Sequence, residues 1–242
     1  MRLPTMPAIA GLFAMVLLAG CSDGGDGGTA AATAAGRQDA APRKAETAAV
    51  PRGAGFDFYV LSLSWSPSWC AENDRGGSTD QCRRGAEHGF IVHGLWPQFD
   101  TGHPEFCRTR QPDRVPEALG RRYLDIIPSM GLIGHQWRKH GTCSGLSQAD
   151  YFRVTRAARE RLVVPRALDD GAAAVRRDPA EVEDLLVNAN PGLTPRGIAV
   201  TCDGGRLEEI RVCLTPGLAF RDCPEVDRAA CRAGSVSQPA IQ

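Results

Sequence analysis

Nine cysteines, eight of which follow residue 69, are the feature that most restricts how this chain of 242 residues folds. An even number of cysteines in an exported protein predicts a framework of disulfide bonds. Eight cysteines allow many connectivities, and their spacing alone selects none of them. The eight candidates are Cys70, Cys82, Cys107, Cys143, Cys202, Cys213, Cys223 and Cys231.

The ninth cysteine follows an N-terminal segment, residues 1–20, that predicts export. Arg2 gives a basic start, and the apolar run from Ala8 to Leu18 is too short to span a bilayer, as in a signal peptide. The run leads into Leu-Ala-Gly and Cys21, which resembles a bacterial lipoprotein signal whose cysteine accepts lipid. The alternative is an ordinary signal peptide cleaved nearby, with Cys21 incidental.

Lipidation of Cys21 would attach the protein to a membrane, because several acyl chains on one residue anchor stably. We therefore expect a protein of the bacterial cell envelope that faces the periplasm or the exterior. Ser22 favours the outer membrane, by resemblance to enterobacterial sorting.

Two further regions follow the signal peptide. Residues 21–55 consist of the lipid-accepting cysteine and a stretch of Gly, Ala, Thr and charged residues, with Val50 as the only large apolar side chain after it. Such a composition buries too little surface to fold and predicts a flexible tether. Residues 56–242 are long enough for one domain, which we expect to end in a short disordered tail.

Alternation of apolar and polar residues predicts the strands. In residues 56–65, Ser62 and Ser64 share one face, and the opposite face carries Tyr59, Leu61, Leu63 and Trp65. Residues 90–95 predict a second strand, which Pro97 ends, with one side formed by Ile91, His93 and Leu95. A hairpin is predicted at Asp203-Gly204-Gly205, between apolar runs 197–202 and 206–214.

Capping residues predict two helices, and apolar spacing a third. Ser147 with Asp150 begins the first, and Asp178-Pro179 begins the second, whose inward residues are Val182, Leu185 and Leu186. Residues 116–127 form the third. Because strands and helices do not alternate regularly, we predict an α+β fold, with a mainly antiparallel central sheet flanked by helices and stabilised by disulfides.

Two short segments concentrate the residues that carry chemistry. Residues 93–98 read His-Gly-Leu-Trp-Pro-Gln, and residues 135–143 read His-Gln-Trp-Arg-Lys-His-Gly-Thr-Cys. They contain three of the five histidines and one of the two lysines, Lys139, in a chain whose other 26 basic residues are arginines. A lysine beside a histidine in such a composition indicates function, and the alternative is a solvated loop.

These segments resemble the two active-site motifs of the ribonuclease T2 family, secreted endoribonucleases that need no metal. The first motif is Phe90–Gln98, the second ends in the run 139–143, and the resemblance spans residues 56–232. It implies an α+β fold and cleavage of single-stranded RNA. At Gln136 most relatives carry Glu, so a role that needs a carboxylate there is not carried over.

The resemblance also implies the roles of the site residues. His140 would be the base on the 2′-hydroxyl and His93 the acid at the leaving 5′-oxygen, which yields a 2′,3′-cyclic phosphate without metal or cofactor. Histidine suits both tasks because its pKa lies near neutrality. His135 and Lys139 would stabilise charge on the phosphate, beside Gln136. Trp96 would stack on a base, and packing in the core is the alternative.

Family resemblance narrows the disulfides too. It implies a bridge from Cys107 to Cys143, and two nested C-terminal bridges, Cys202 with Cys231 around Cys213 with Cys223. Cys70 and Cys82 remain as the fourth pair.

A formal net charge of zero argues against a broad basic surface for nucleic acid. The expected partner is single-stranded RNA bound locally by a monomer, and not DNA, which lacks the attacking 2′-hydroxyl. One alternative is a catalytically weak, membrane-tethered RNA-binding protein, which Gln136 would favour. Another is a zinc site at His135, His140 and Cys143, which lacks a fourth ligand. His88 and His103 lie outside the motifs and are expected in solvated loops.

Overall fold

The computed structural model describes residues 49–241, so the predicted signal peptide, Cys21 and most of the tether lie outside the described residues. The strands are β1 (Phe58–Trp65), β2 (Phe90–Gln98), β3 (Val175–Arg177), β4 (Ile198–Asp203), β5 (Arg206–Leu214) and β6 (Val236–Gln238). The α-helices are α1 (Ser66–Asn73), α2 (Glu117–Gly120), α3 (Met130–Lys139), α4 (Gln148–Arg161), α5 (Arg166–Asp169), α6 (Pro179–Ala189) and α7 (Pro224–Asp227). Short 3₁₀ turns occupy Arg121–Tyr123, Gly141–Cys143 and Pro195–Gly197.

The sheet is built around β1, which pairs antiparallel with β2 on one side and with β5 on the other. The strand order is β2-β1-β5-β6-β3, and β4 forms an antiparallel hairpin with β5 at the predicted turn. A single parallel pair, Arg206 with Ser237, joins β5 to β6. The prediction of an α+β fold with a mainly antiparallel, helix-flanked sheet is therefore confirmed.

The apolar face of β1 forms the centre of the core, as its alternation predicts. Helices α3 and α4 cover this face with large side chains that are fully or almost fully buried: Trp137, Tyr151 and Phe152. The Tyr151 hydroxyl donates a hydrogen bond of 2.8 Å to the backbone oxygen of Leu95, which fixes α4 against β2. The Tyr151 ring also packs against Trp137 of α3 at a centroid separation of 5.8 Å, so α4 fixes the second motif relative to the first.

A β-bulge in β2 changes which side chains face the core. The pairing with β1 shifts by one residue between Ser62 and Leu63, so that His93 is an extra residue in β2. The prediction that Ile91, His93 and Leu95 share one side is wrong for this reason, because Leu95 pairs with Leu61 on the core face and Ile91 with Ser64 on the opposite face. Leu95 remains in the core, whereas the His93 side chain leaves it.

Pro97 does not end β2, contrary to the prediction. It pairs with Tyr59, and the strand continues to Gln98 opposite Phe58. Proline is tolerated here because β2 is the edge strand of the sheet, where a missing backbone N–H costs no ladder hydrogen bond.

The two capped helices begin where the sequence predicts. The Ser147 side chain accepts a hydrogen bond from the Asp150 backbone at 3.2 Å, and the Asp178 carboxylate accepts one from the Ala180 backbone at 2.9 Å. In α6, Val182 and Leu186 are buried, but Leu185 is 37% exposed and does not point inward as predicted.

The helix predicted over residues 116–127 is broken into α2 and a 3₁₀ turn. The break falls at Gly120, a poor helix former. A Cβ atom at Gly120 would lie 2.5 Å from Cε of Met130, so this glycine allows α3 to approach closely.

Four disulfides are present: Cys70–Cys82, Cys107–Cys143, Cys202–Cys231 and Cys213–Cys223. These are the pairs that the family resemblance implies. The second of them ties the loop after β2 to the turn after α3, and so links the two motifs covalently.

The C-terminal stretch, for which a disordered tail is predicted, contains β6, and Trp65 donates a hydrogen bond of 2.9 Å to the backbone oxygen of Pro239. Within residues 49–241, no helix is long and apolar enough to cross a membrane.

Replacing Ser147 with Ala should lower the free energy of unfolding by about 1 kcal/mol, because the N-cap of α4 loses its side-chain acceptor. Glu160→Ala, at an exposed position of the same helix, is the matched control and should change stability by less than about 0.5 kcal/mol. Urea denaturation measures both values. Equal effects of the two substitutions would show that the cap does not stabilise α4.

Candidate active site

One pocket of about 330 Å³ brings together residues of both sequence motifs. It lies against the face of β1 that is opposite the core, under α3 and the loop that follows β2. Every residue predicted to take part in chemistry or substrate binding lines it: His93, Trp96, His135, Gln136, Lys139 and His140. The remaining wall includes Phe58, Val60, Gln98, His103, Glu105, Arg211 and Val226.

Helix α3 and its C-cap residue, His140, present four of these residues in two pairs. His135 and Lys139 lie on its more exposed side, whereas Gln136 and His140 are buried. This division follows from the four-residue spacing within each pair. The helix is fixed in rotation because Trp137 is fully buried and donates a hydrogen bond of 2.8 Å to the backbone oxygen of Pro112.

Gln136 is bonded to the first motif. Nε1 of Trp96 donates a hydrogen bond of 3.0 Å to Oε1 of Gln136. Both groups pack against Gly94, where a Cβ atom would lie 2.1 Å from Oε1 of Gln136 and 2.3 Å from Nε1 of Trp96. Glycine at position 94 is therefore required for the close approach of the two motifs.

His140 is buried in this junction. Its side chain stacks on Trp96 at a centroid separation of 5.3 Å and an interplanar angle of 28°. Nδ1 is buried, and no group among residues 49–241 is hydrogen-bonded to it. Burial, followed by the positive charges of Lys139 and of neighbouring histidines, lowers the pKa of His140 to about 3. The ring is consequently neutral near pH 7 and can accept a proton.

The rim of the pocket carries charges of alternating sign. Nζ of Lys139 lies 3.1 Å from Oε1 of Glu105, and Nε2 of His103 lies 3.3 Å from the same oxygen. The hydrogen bond from Lys139 lowers the pKa of Glu105, and the charges of Lys139 and His103 act in the same direction. An anion that binds Lys139 must therefore compete with Glu105.

Two exposed histidines, His135 and His103, lie at the rim of the pocket. Partial burial, together with the charges of Lys139 and Arg138, lowers the pKa of His135. His103 lies in a loop and is exposed, as expected, and because the loop after β2 folds back over the pocket it also lines the pocket wall. The backbone N–H of Phe106 donates a hydrogen bond of 2.9 Å to the backbone oxygen of Lys139, which holds this loop in place.

His93 is paired with a buried carboxylate that the sequence reasoning missed. Nδ1 of His93 is hydrogen-bonded to Oε1 of Glu209, which is only 3% exposed. Arg211 binds the other carboxylate oxygen through Nε at 2.8 Å and through Nη2 at 2.7 Å. Burial alone would raise the pKa of Glu209, but the hydrogen bond from His93 and the two positive partners lower it to about 2.

The alternation of β5 contains a signal for these two residues. Ile210, Val212 and Leu214 are core residues, so Glu209 and Arg211 lie on the opposite face of the sheet. A glutamate and an arginine on the face that carries the first motif could have been nominated on that basis.

The alternatives considered from the sequence fare differently. Cys143 is in a disulfide and is not a free zinc ligand, and no three His, Cys, Asp or Glu side chains in the described part of the chain are arranged to hold a metal ion. His88 is outside the pocket wall. The Trp96 ring contacts His140 and lies 5.5 Å from the guanidinium of Arg211, so it has a packing role whether or not a base stacks on it.

Comparison with known proteins gives consistent matches. The family model described as the Ribonuclease T2 family matches residues 56–223. A ribonuclease of Aeromonas hydrophila is 40% identical over 124 residues, which are 51% of this chain and 54% of that protein. A relative in Haemophilus influenzae is 38% identical over 111 residues, 41% of this chain and 40% of the other. The chain thus spans about half of the length of these bacterial relatives.

Among solved structures, an RNase-related protein from Calystegia sepium matches with a TM-score of 0.63 and 21% identity, covering 78% of this chain and all of the other. At this identity the likeness concerns the fold alone. The family model, however, covers more than half of the sequence, including both motifs and β5. The chain therefore belongs to the Ribonuclease T2 family.

Proposed function

We propose that this protein is an endoribonuclease that cleaves single-stranded RNA through a 2′,3′-cyclic phosphate and needs no metal. The proposal rests on one observation, that two histidines with different surroundings line the same pocket. His140 is buried and neutral, His93 is bonded to a carboxylate, and Lys139 lies at the rim. The match to the family, and to a relative named ribonuclease in Aeromonas hydrophila, supports the same activity.

In the first step, His140 removes the proton of the 2′-hydroxyl, whose oxygen attacks the adjacent phosphorus. A neutral imidazole is needed for this step, and burial keeps His140 neutral. The negative charge of the bound phosphate will raise the pKa of His140 above its value in the free protein, which makes the ring a stronger base when substrate is present.

As the bond from phosphorus to the 5′-oxygen breaks, His93 donates a proton to that oxygen. Its Nδ1 is bonded to Glu209, so Nε2 is the atom left for the substrate. Hydrolysis of the cyclic phosphate would use the same two histidines with their roles exchanged.

Charge on the phosphate is stabilised by Lys139 and His135, which lie one helical turn apart on α3. The Gln136 amide is held next to them by Trp96. Phe58 and Val60 form an apolar wall that an unpaired base can contact, and recognition of unpaired bases is the usual mode for single-stranded RNA.

The purified, oxidised protein should cleave single-stranded RNA in excess EDTA and leave single-stranded DNA of the same sequence intact. Early products should carry 2′,3′-cyclic phosphates, detected by mass spectrometry. His93→Ala and His140→Ala should each lower kcat by at least about 10²-fold, as expected for a general acid or base. His88→Ala, outside the pocket, is the control and should retain the wild-type rate.

Loss of cleavage in EDTA, or equal cleavage of DNA, would contradict this mechanism. RNA binding without cleavage would instead favour the alternative of a tethered RNA-binding protein.

Gln136→Glu should move the acidic limb of the kcat/KM profile to higher pH by about 1 pH unit or more. A carboxylate can still accept the hydrogen bond from Trp96, but its negative charge raises the pKa of the neighbouring His140 and so narrows the range in which the base is neutral. Gln111→Glu adds the same charge at an exposed site and should leave the limb in place. An unmoved limb in Gln136→Glu would show that residue 136 and the base are not electrostatically coupled.

We also propose that Cys21 is lipidated and that the enzyme is anchored in the cell envelope, facing the periplasm or the exterior. The sequence of residues 1–22 supports this proposal. Cys21→Ser should move the protein from the membrane fraction to the soluble fraction, because the acyl chains are lost. The Ser22→Ala variant keeps the cysteine and should remain in the membrane fraction. Membrane partition that does not change in Cys21→Ser would rule out the anchor.

A further inference from the structure

The contact of His93 with Glu209 crosses an intervening strand. His93 lies in β2 and Glu209 in β5, and both strands pair with β1 between them. Two interstrand spacings separate their backbones by roughly 10 Å. The side chains can meet over β1 because β1 presents only small residues there, Ser62 and Ser64, and Ser64 is the residue paired with Glu209.

Local irregularities in both strands aim the two side chains. In β2, His93 is the bulged residue. In β5, the pairing with β4 shifts at the same level, which leaves Glu208 and Glu209 both opposite Thr201. Such irregularities redirect side chains at functional sites and are not needed to form a sheet.

The buried carboxylate uses both of its oxygens. Oε1 is bonded to His93 and Oε2 to Arg211, and the Arg211 guanidinium lies 5.5 Å from the centroid of the Trp96 ring. Burial of an ionised carboxylate is unfavourable unless it is paired, and an apolar residue would pack at this position more simply. A charge kept here at such a cost indicates a function for the His93 contact.

We propose that Glu209 is a positioning residue for His93, an inference that rests on the proposed function. Glu209 accepts a hydrogen bond from Nδ1–H of His93. This bond holds the orientation of the ring and keeps Nε2 toward the substrate. Its negative charge stabilises the imidazolium that gives a proton to the 5′-oxygen. When the bond from phosphorus to that oxygen breaks, the Nε2 proton moves to the oxygen. The ring, now neutral, keeps its proton on Nδ1, which stays hydrogen-bonded to Glu209. Arg211, in turn, fixes the carboxylate.

Other charges also reach His93, so the role of Glu209 must be separated from theirs. The titratable and charged groups around the ring are Glu209 and Arg211 on β5, His135, Lys139 and His140 on α3 and its C-cap, His103 and Glu105 in the loop after β2, and Glu225 on α7. Glu209 alone among them is hydrogen-bonded to His93 in the described residues.

The test is the pH dependence of kcat/KM for Glu209→Gln in the full chain. We expect a fall of about 10-fold to 10²-fold at the wild-type optimum, less than the loss of the acid itself. The alkaline limb should move to lower pH, because a neutral amide does not stabilise the imidazolium, whereas the acidic limb should stay. Glu208→Gln removes the same charge from the adjacent, exposed residue and should match the wild type.

A Glu209→Gln profile that matches the wild type would overturn the proposal. A fall of equal size at every pH, with both limbs unmoved, would also overturn it, since that is the result of a purely structural role.

A second measurement does not depend on activity or on the folding of the variant. In the wild-type protein, ¹⁵N chemical shifts should place the proton of the neutral His93 ring on Nδ1, and a proton on Nε2 instead would overturn the proposal. If the wild type does not cleave RNA, the proposed function fails, and the tautomer of His93 still decides whether Glu209 positions the ring.

Discussion

The two faces of β1 determine where the core and the pocket lie. Its large apolar side chains enter the core, where α3 and α4 pack against them. On its opposite face, Ser62 and Ser64 have small side chains, and side chains from β2 and β5 meet above them. A bulky residue at either serine would separate His93 from its carboxylate while leaving the core intact.

The proposed chemistry depends on the different surroundings of two histidines. His140 is buried among positive groups and has no anionic partner in the part of the chain that the structure describes, which keeps it neutral. His93 is half-exposed and bonded to a buried carboxylate. In the proposed mechanism, these different surroundings suit His140 to act as the base and His93 as the acid.

Much of this arrangement could be predicted from the sequence, and the failures have physical causes. The alternation of β1, the caps of α4 and α6 and the hairpin at 203–205 are local signals, and each was correct. The face of His93 and the continuation of β2 through Pro97 were wrong, because a bulge and an edge position depend on the neighbouring strand. Glu209 was missed because its partner lies 116 residues earlier in the chain and on a strand that β5 does not touch.

The ion pair between Glu105 and Lys139 gives the pocket an anion of its own. The loop that carries Glu105 is tied to the turn after α3 by Cys107–Cys143, which keeps this carboxylate within reach of the lysine. Small free anions then gain little by entering, because they meet a cation that is already neutralised. In the proposed reaction, a polynucleotide would also offer a base to the apolar wall, and these additional contacts would help it to displace the carboxylate. Short products of that reaction would lose those contacts, so the same ion pair that resists stray phosphate would also favour their release.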